Sequence, residues 1–475
     1  MPKNNYKDAL NHKIFDYLSE AADELQIETY AIGGFVRDYF LNRGKAEDID
    51  VVAVGNGIEL AEKVAEKLPG KPKVQIFKTY GTAMLKVFDL EVEFVGARKE
   101  SYNENSRNPE VEQGTLEDDQ NRRDFTINAL ALQLNKNNFG KLLDPFGGLE
   151  DLKMQLIKTP LDPDITYSDD PLRMMRAIRF AAQLGFKIEP KSLKAIKDNA
   201  SRIDIVSNER IVTEIHKIML ADKPSVGFKI MHNTGLLKRI LPELTNLEGI
   251  DEIDGQKHKD NFWHTLEVVD NIALETDDLW LRWAALLHDI GKAPTKRFSK
   301  RVGWTFHGHE FKGSKMVFQI FKRLKMPLND KMKYVQKLVL LSSRPIAIVD
   351  DDVTDSAVRR LVFDAGEYLE DLMTLCEADI TTKNPNRYRK YHNNFKLVRQ
   401  KIQEVEERDR IRDFQPPVKG QEIMDTFGIA PCKEVGEIKS KIKEAILDGE
   451  IPNEYEAAFE FMLKEGEKLG LTPKK

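Results

Sequence analysis

Cysteine is nearly absent. The 475 residues hold two, Cys376 and Cys432, which excludes a disulfide framework and suits a reducing compartment. Long apolar runs are missing as well: nothing approaches the roughly 20 consecutive apolar residues of a membrane-spanning helix. The opening stretch MPKNNYKDALNHKIFDYLSE lacks the uninterrupted apolar segment of a signal peptide. The expectation is a cytoplasmic protein with no membrane partner. There is no excess of positive charge either, with 73 Lys and Arg against 78 Asp and Glu, a net charge of −5. That balance argues mildly against a nucleic-acid binder, but phosphate recognition depends on a local basic surface and not on the sum. Internal repeats and low-complexity tracts are also lacking. Neither function nor oligomeric state follows from composition.

What is present is a long, charged, helix-leaning chain. At 41% hydrophobic and 32% charged residues, it is long enough for two to four domains. The first 150 or so residues read as mixed α/β. Tyr6, Leu10, Ile14, Leu18 and Ala21 have helical spacing, and a short strand over 28–32 leads into Gly33-Gly34 and a helix from about Val36. Further strands are expected over 49–54, 74–77, 83–88 and 92–95, the last two joined by a turn at Asp89-Leu90. Residues 101–121 are polar and aperiodic and predict a mobile loop. Beyond about 165 the spacing is helical, as in 172–184, 211–220, 226–231 and 281–287. The expected fold class is α+β, a sheet-containing N-terminal part followed by an all-α C-terminal half. Boundaries near 160, 250 and 405 give parts 1–160, 161–250, 251–405 and 406–475.

The strongest local signal is Gly33-Gly34-Phe35-Val36-Arg37-Asp38 followed by Glu47-Asp48-Ile49-Asp50. Two glycines between a strand and a helix let backbone approach a ligand closely, and free helical N–H groups suit phosphate. Asp48 and Asp50, two apart on a strand, point the same way. Carboxylates so paired hold Mg²⁺ for in-line displacement at phosphorus. Alone, a Gly-Gly turn or an Asp-x-Asp is more often ordinary structure; their succession within about 20 residues is much rarer. Glu93, on a later strand, is a candidate third carboxylate.

Together these segments resemble the signature of the DNA polymerase β-like nucleotidyltransferase superfamily, in the class II branch of CCA-adding enzymes and bacterial poly(A) polymerases. Further motifs follow in that family's order: Asn121–Ala129 (NRRDFTINA), Leu143–Gly148 (LDPFGG), Asp169–Arg176 (DDPLRMMR) and Ser207–Arg210 (SNER). The ordered match runs from residue 30 to about 220. The resemblance implies a head built on a polymerase β-like sheet and addition of C, C and A to tRNA 3′ ends from CTP and ATP. It places Mg²⁺ on Asp48 and Asp50, the triphosphate on Gly33, Gly34 and Arg37, and the incoming base on Asp170 and Arg173. Arg122, Arg123 and Arg176 assist in positioning.

These residues also have readings of their own. Arg122 and Arg123 are planar donors suited to phosphates, and Asp124 suits a cap for the helix expected after it. Asp170 and Arg173, at i and i+3 of an expected helix, share a face. An acceptor-only carboxylate beside a guanidinium matches the edges of cytosine and adenine and rejects uracil and guanine; the blander alternative is that Asp169 or Asp170 caps the helix. A poly(A) polymerase shares these motifs, but the stretch EVEFVGARKESY favours CCA addition, and the full length of Ser101–Gln120 disfavours a CC-only enzyme. A-only addition stays open.

A second constellation follows. His264, the adjacent His288-Asp289 and Asp379 occur in the order of the metal-dependent HD phosphohydrolase domain, which they resemble, with His309 as an extra candidate. A lone buried histidine is more often a core residue, but two imidazoles and two carboxylates suit a divalent ion. The resemblance implies a second divalent metal and a hydrolase acting on nucleotide or RNA ends. Basic residues mixed with aromatics over 383–401, and lysines over 315–337, are candidates for tRNA contact, although each alone suits a solvated helix face. The segment after Val418 resembles tRNA-binding tails of bacterial CCA-adding enzymes. A rival of another class, an HD phosphohydrolase whose head only binds nucleotide, is disfavoured by the intact Asp48 and Asp50.

Overall fold

The computed structural model describes residues 5–44, 48–78, 81–101, 110–253, 255–350, 354–409 and 416–474. Glu47, the centre of the 101–121 stretch and the expected boundary just past 405 lie wholly or partly outside them. The chain forms two compact units, Met1–Pro242 and Glu243–Lys475.

The first unit is built on a seven-stranded mixed sheet. Its strands are β1 (Thr29–Ile32), β2 (Asp48–Ala53), β3 (Gln75–Phe77), β4 (Thr82–Val87), β5 (Leu90–Gly96), β8 (Ala131–Gln133) and β9 (Leu142–Leu143), in the order β3-β4-β5-β2-β1-β8-β9. A separate ribbon pairs β6 (Arg98–Ser101) with β7 (Glu110–Gln113). Every residue of β1 is buried, as a central strand covered on both faces requires. β2 changes along its length, from exposed Asp48 to buried Val51, Val52 and Ala53. Its N-terminal end therefore emerges from the core, with Asp48 at the surface and Asp50 half-buried behind it.

Three expectations need correcting here. The helical spacing from Tyr6 is broken into a short 3₁₀ turn, Lys7–Leu10, and a helix, Lys13–Glu24. His12 interrupts them, because its ring accepts the Ile14 N–H as an N-cap. The β4–β5 turn falls at Phe88-Asp89, with φ of 54° and 62°, one residue earlier than expected; two successive left-handed residues are what a tight hairpin demands. The polar 101–121 stretch includes β7 and a helix, Leu116–Asn121, closed by a Thr115/Asp118 capping box. A two-stranded ribbon outside the main sheet needs no apolar alternation, so the sequence carried no period to read. The helices Leu172–Leu184, Asn208–Met219 and Ser225–Asn233 follow their apolar spacing.

The second unit is helical apart from two small hairpins among its described residues. Asn261–Glu275, Leu279–Leu287, His309–Arg323 and Leu369–Ala378 contribute the fully buried Phe262, Trp283, Phe321 and Leu372, and Asp330–Leu341 packs alongside. Pro385–Asp409 is one long helix, and three more close the chain: Gly420–Phe427, Lys433–Asp448 and Tyr455–Lys468. A mixed sheet followed by a helical half is the α+β arrangement the sequence pointed to. No helix among the described residues is long and apolar enough to cross a membrane.

Candidate nucleotidyl-transfer cleft and candidate metal centre

β1 ends at Ile32, Gly33 turns the chain at φ 81°, and a helix runs over Gly34–Phe40. A β-carbon at Gly33 would stand 3.0 Å from Asp50 Oδ2 and 3.3 Å from Arg123 Nη1. Both the positive φ and the close approach call for glycine. Sheet register brings the carboxylates together. Asp50 pairs with Ile32 on antiparallel β1 and with Glu93 on parallel β5, while Asp48, two residues back, shares its side. Asp48, Asp50 and Glu93 all line a cleft of about 820 Å³. Burial, opposed by Arg123 and reinforced by Asp48, raises the pKa of Asp50. Burial and the Asp50 charge raise that of Glu93. Carboxylates crowded on one wall, each disfavouring its neighbour's charge, form a donor set that fits a hard divalent cation such as Mg²⁺.

The same cleft is lined by Arg37, Arg123, Arg176 and Arg179. Each of these cations is already braced. Arg37 forks onto Asp38 with two bonds of 2.9 Å and donates a third, also 2.9 Å, to Asn128 Oδ1. Arg176 Nε donates to Asp124 Oδ2 at 2.7 Å. Burial alone would raise the Asp124 pKa, but Arg176 and Asn128 outweigh it and hold it at about 2. Phe180 gives the guanidiniums a shared platform, with Arg179 4.1 Å, Arg37 4.9 Å and Arg176 5.8 Å from its ring centre. Asp124 is not a helix cap: its Oδ1 accepts from Phe125 N and Asn128 Nδ2.

Gly33, Gly34, Arg37, Asp48, Asp50, Glu93, Arg123 and Arg176 are thus brought together. Arg122, Asp170 and Arg173 are not among the lining residues. Asp170 also precedes the helix that carries Arg173, so the expected i, i+3 pair on one helix is not formed. The residue before a proline is driven out of helical geometry, and Asp170, preceding Pro171, sits at φ −128°, ψ 97°. Its Oδ1 accepts the Leu172 N–H at 3.2 Å. Arg173 is buried and donates to the Arg122 carbonyl at 2.6 Å. Sequence reasoning missed Asp38, Asn128, Arg179 and Phe180. Arg179 lies at i+3 from Arg176, and helical spacing would have found it.

In the second unit His264 sits on the helix Asn261–Glu275, His288 and Asp289 end the helix Leu279–Leu287, and Asp379 ends Leu369–Ala378. One ligand atom each from His264, His288 and Asp379 lie within 4.8 Å of one another. His288 Nδ1 bonds the Ala285 carbonyl at 2.8 Å, which makes Nδ1 a donor and turns Nε2 towards the centre. Nε2 of His288 and Oδ1 of Asp379 are buried without hydrogen-bond partners. His264 Nε2 approaches that Oδ1 to 2.6 Å, yet off hydrogen-bond geometry. Two buried polar atoms without hydrogen-bond partners, converging beside a second imidazole, are what a divalent metal would satisfy, so the residues fit one. Asp289 stands alongside, its Oδ2 3.4 Å from His288 Nε2 and 2.7 Å from Lys292 Nζ. His309 Nε2 is 3.7 Å from Asp289 Oδ1. Lys259, which belongs to no motif in the sequence, donates to Thr381 Oγ1 at 2.7 Å and lies 2.7 Å from His264 Nδ1.

A glycine turn beside paired strand carboxylates and a bank of braced guanidiniums defines a nucleotidyltransferase head. Residues 29–158 match the poly A polymerase head domain, 185–248 the probable RNA and SrmB-binding site of polymerase A, and 261–384 the HD domain. An A-adding tRNA nucleotidyltransferase of Deinococcus radiodurans is 32% identical over 351 residues, 72% of this chain and 78% of that one. The multifunctional CCA protein of Pseudomonas fluorescens SBW25 is 32% identical over 318 residues, 63% and 71% of the two chains. The fold is similar to that of the Thermotoga maritima CCA-adding enzyme solved with tRNA, with a TM-score of 0.60 at 22% identity, covering 97% of each chain. The chain belongs to the family of CCA- and A-adding tRNA nucleotidyltransferases, and it is an enzyme.

Proposed function

We propose that the chain builds the CCA end of tRNA from CTP and ATP. The observation that carries this reading is one cleft holding Asp48, Asp50 and Glu93 together with Arg37, Arg123 and Arg176. Mg²⁺, when bound there, would neutralise phosphate charge and favour the ionised 3′-hydroxyl, in the manner of two-metal sites. Asp48 and Asp50 are the residues that hold it. The arginines neutralise the triphosphate, and Gly33 and Gly34 let it approach the backbone. The primer 3′-oxygen bonds to the α-phosphorus and pyrophosphate leaves. Reading the base through Asp170 and Arg173 requires Arg173 to exchange the Arg122 carbonyl for the nucleotide, with cytosine and adenine matching its donors and the Asp170 acceptor.

A second reading, addition of the terminal A alone, is favoured by the A-adding Deinococcus relative. Primer tRNAs ending before the CCA, after its first C and after CC separate the two. Extension of all three to CCA supports the first reading, and extension of only the last supports the second. CCA-adding enzymes of similar fold solved with tRNA, ATP and CTP support the same partners here, and a cytoplasmic setting is part of the same reading. Alongside, the HD residues His264, His288 and Asp379, with Asp289, hold a divalent metal at a phosphohydrolase centre. The functional parts are a head over 1–160, a neck over 161–250, the HD part over 251–405 and a tRNA-binding tail from 406.

A further inference from the structure

We propose that Asp119 is the positioning residue that aims Arg123 at the nucleotide. Its carboxylate is fully buried and divided between two neighbours on its own helical turn. Oδ1 accepts from Arg122 Nε at 2.9 Å, and Oδ2 accepts from Arg123 Nε at 3.1 Å and forms an ion pair with its Nη2, also at 3.1 Å. The helix beneath it is fixed at both ends, by the Thr115/Asp118 capping box and by the buried Gln120 side chain, which donates to the Ala129 carbonyl at 2.7 Å. With Nε and Nη2 gripped from behind, Arg123 leaves Nη1 forward, 3.3 Å from where a β-carbon on Gly33 would stand and 3.5 Å from the Asn128 carbonyl. A guanidinium is a planar fork, so fixing one edge fixes the direction of the other. The grip works through charge as well: one carboxylate against two guanidiniums leaves a net positive edge for a polyphosphate. Were Asp119 needed only for folding, a buried charge would be a costly way to fill that space. The motif identifies the two arginines; the buried carboxylate three and four residues before them is what directs them.

This inference rests on Arg123 contacting the incoming nucleotide, and the experiment separates the two claims. Steady-state kinetics with ATP and a tRNA ending in CC are measured for wild type, Asp119→Asn, Arg123→Ala and the double variant, with tRNA affinity and thermal melting followed in parallel. Asp119→Asn is expected to raise KM for ATP by about tenfold or more, as loss of a charge-assisted grip implies, with tRNA affinity unchanged. The double variant should be no worse than Arg123→Ala alone, because the carboxylate acts through that arginine. A general folding defect would instead multiply with the Arg123→Ala loss, and that result overturns the proposal. If Arg123→Ala raises KM and Asp119→Asn does not, the proposal alone fails. If Arg123→Ala leaves KM unchanged, the assignment of Arg123 fails and the proposal with it. Should Asp119→Asn not fold, Asp119→Glu, which keeps the charge but displaces it by one methylene, must raise KM at unchanged tRNA affinity; a wild-type KM overturns the proposal.

Discussion

Replacing Asp124 by Asn should destabilise the first unit, and the structure sets the size of the effect. The Asp124 carboxylate is buried; burial would raise its pKa, but Arg176 and Asn128 hold it at about 2. Against an unperturbed aspartate near 3.9, that difference corresponds to roughly 2–3 kcal/mol at neutral pH. Asparagine can keep the bonds to Phe125 N and Asn128, but it points an amide or a neutral oxygen at Arg176, so a loss of about 2–3 kcal/mol is expected. The sign follows from the depressed pKa: the contribution is complete above about pH 5 and disappears as the pH falls through 4 towards 2. Placement of the tryptophans gives the assay. Trp263, Trp280, Trp283 and Trp304 all lie beyond residue 243, so tryptophan fluorescence reports the second unit while far-ultraviolet circular dichroism reports both. In urea titrations at pH 7, Asp124→Asn should shift a dichroism transition and leave the fluorescence transition in place. Near pH 3 the gap between variant and wild type should narrow. An unchanged dichroism transition at pH 7, or a gap that persists at pH 3, would refute the ion-pair reasoning.

Gly33→Ala must adopt a left-handed φ and set a methyl 3.0 Å from Asp50 Oδ2. A stability loss of about 1–2 kcal/mol and a fall in kcat/KM of about tenfold or more are expected, with tRNA affinity retained; wild-type kinetics would count against the close approach. His288→Ala should abolish divalent-ion binding to the second unit, read by calorimetry in an Asp48→Ala/Asp50→Ala background, and in the otherwise wild-type chain should spare nucleotide addition. Although burial lowers the His288 pKa, Asp289 and Asp379 hold it up at about 10, so below that pH the metal-free imidazole keeps its proton. An ion entering at Nε2 must displace it. Calorimetry at pH 7.5 in buffers of different ionisation enthalpy should therefore show about one proton released per ion, and release of none would contradict the assignment.

Much of the cleft was legible in the sequence because its parts are local. Gly33-Gly34 and Asp48-x-Asp50 lie within one strand–turn–helix–strand passage, and their pattern alone places them. The meeting of Glu93 with Asp50 depends on parallel β2–β5 pairing, which no local period encodes; strand order had to be seen. Asp170 was misplaced for a local reason that was available, since Pro171 withdraws its predecessor from the helix. Of the braces on the guanidiniums, Asn128 and the Phe180 platform were illegible where they act on Arg37, because they reach it from distant elements; Asp38 adjoins Arg37 in the chain and was within reach of a local reading. In the second unit the three helix ends that deliver His264, His288 and Asp379 were read correctly as helices. Their convergence, and the approach of Lys259 to His264, became visible only in three dimensions.

Nucleotide transfer in this cleft depends most directly on the carboxylates of β2. Purified wild type and Asp50→Ala should be given Mg²⁺, CTP, ATP and tRNAs ending before the CCA and after CC, with incorporated label resolved at single-nucleotide length and dichroism compared between the two proteins. The predicted result is extension that stops at a complete CCA end for wild type and no incorporation for a normally folded Asp50→Ala. Undiminished incorporation by Asp50→Ala would contradict the assignment of this cleft as the site of nucleotide transfer.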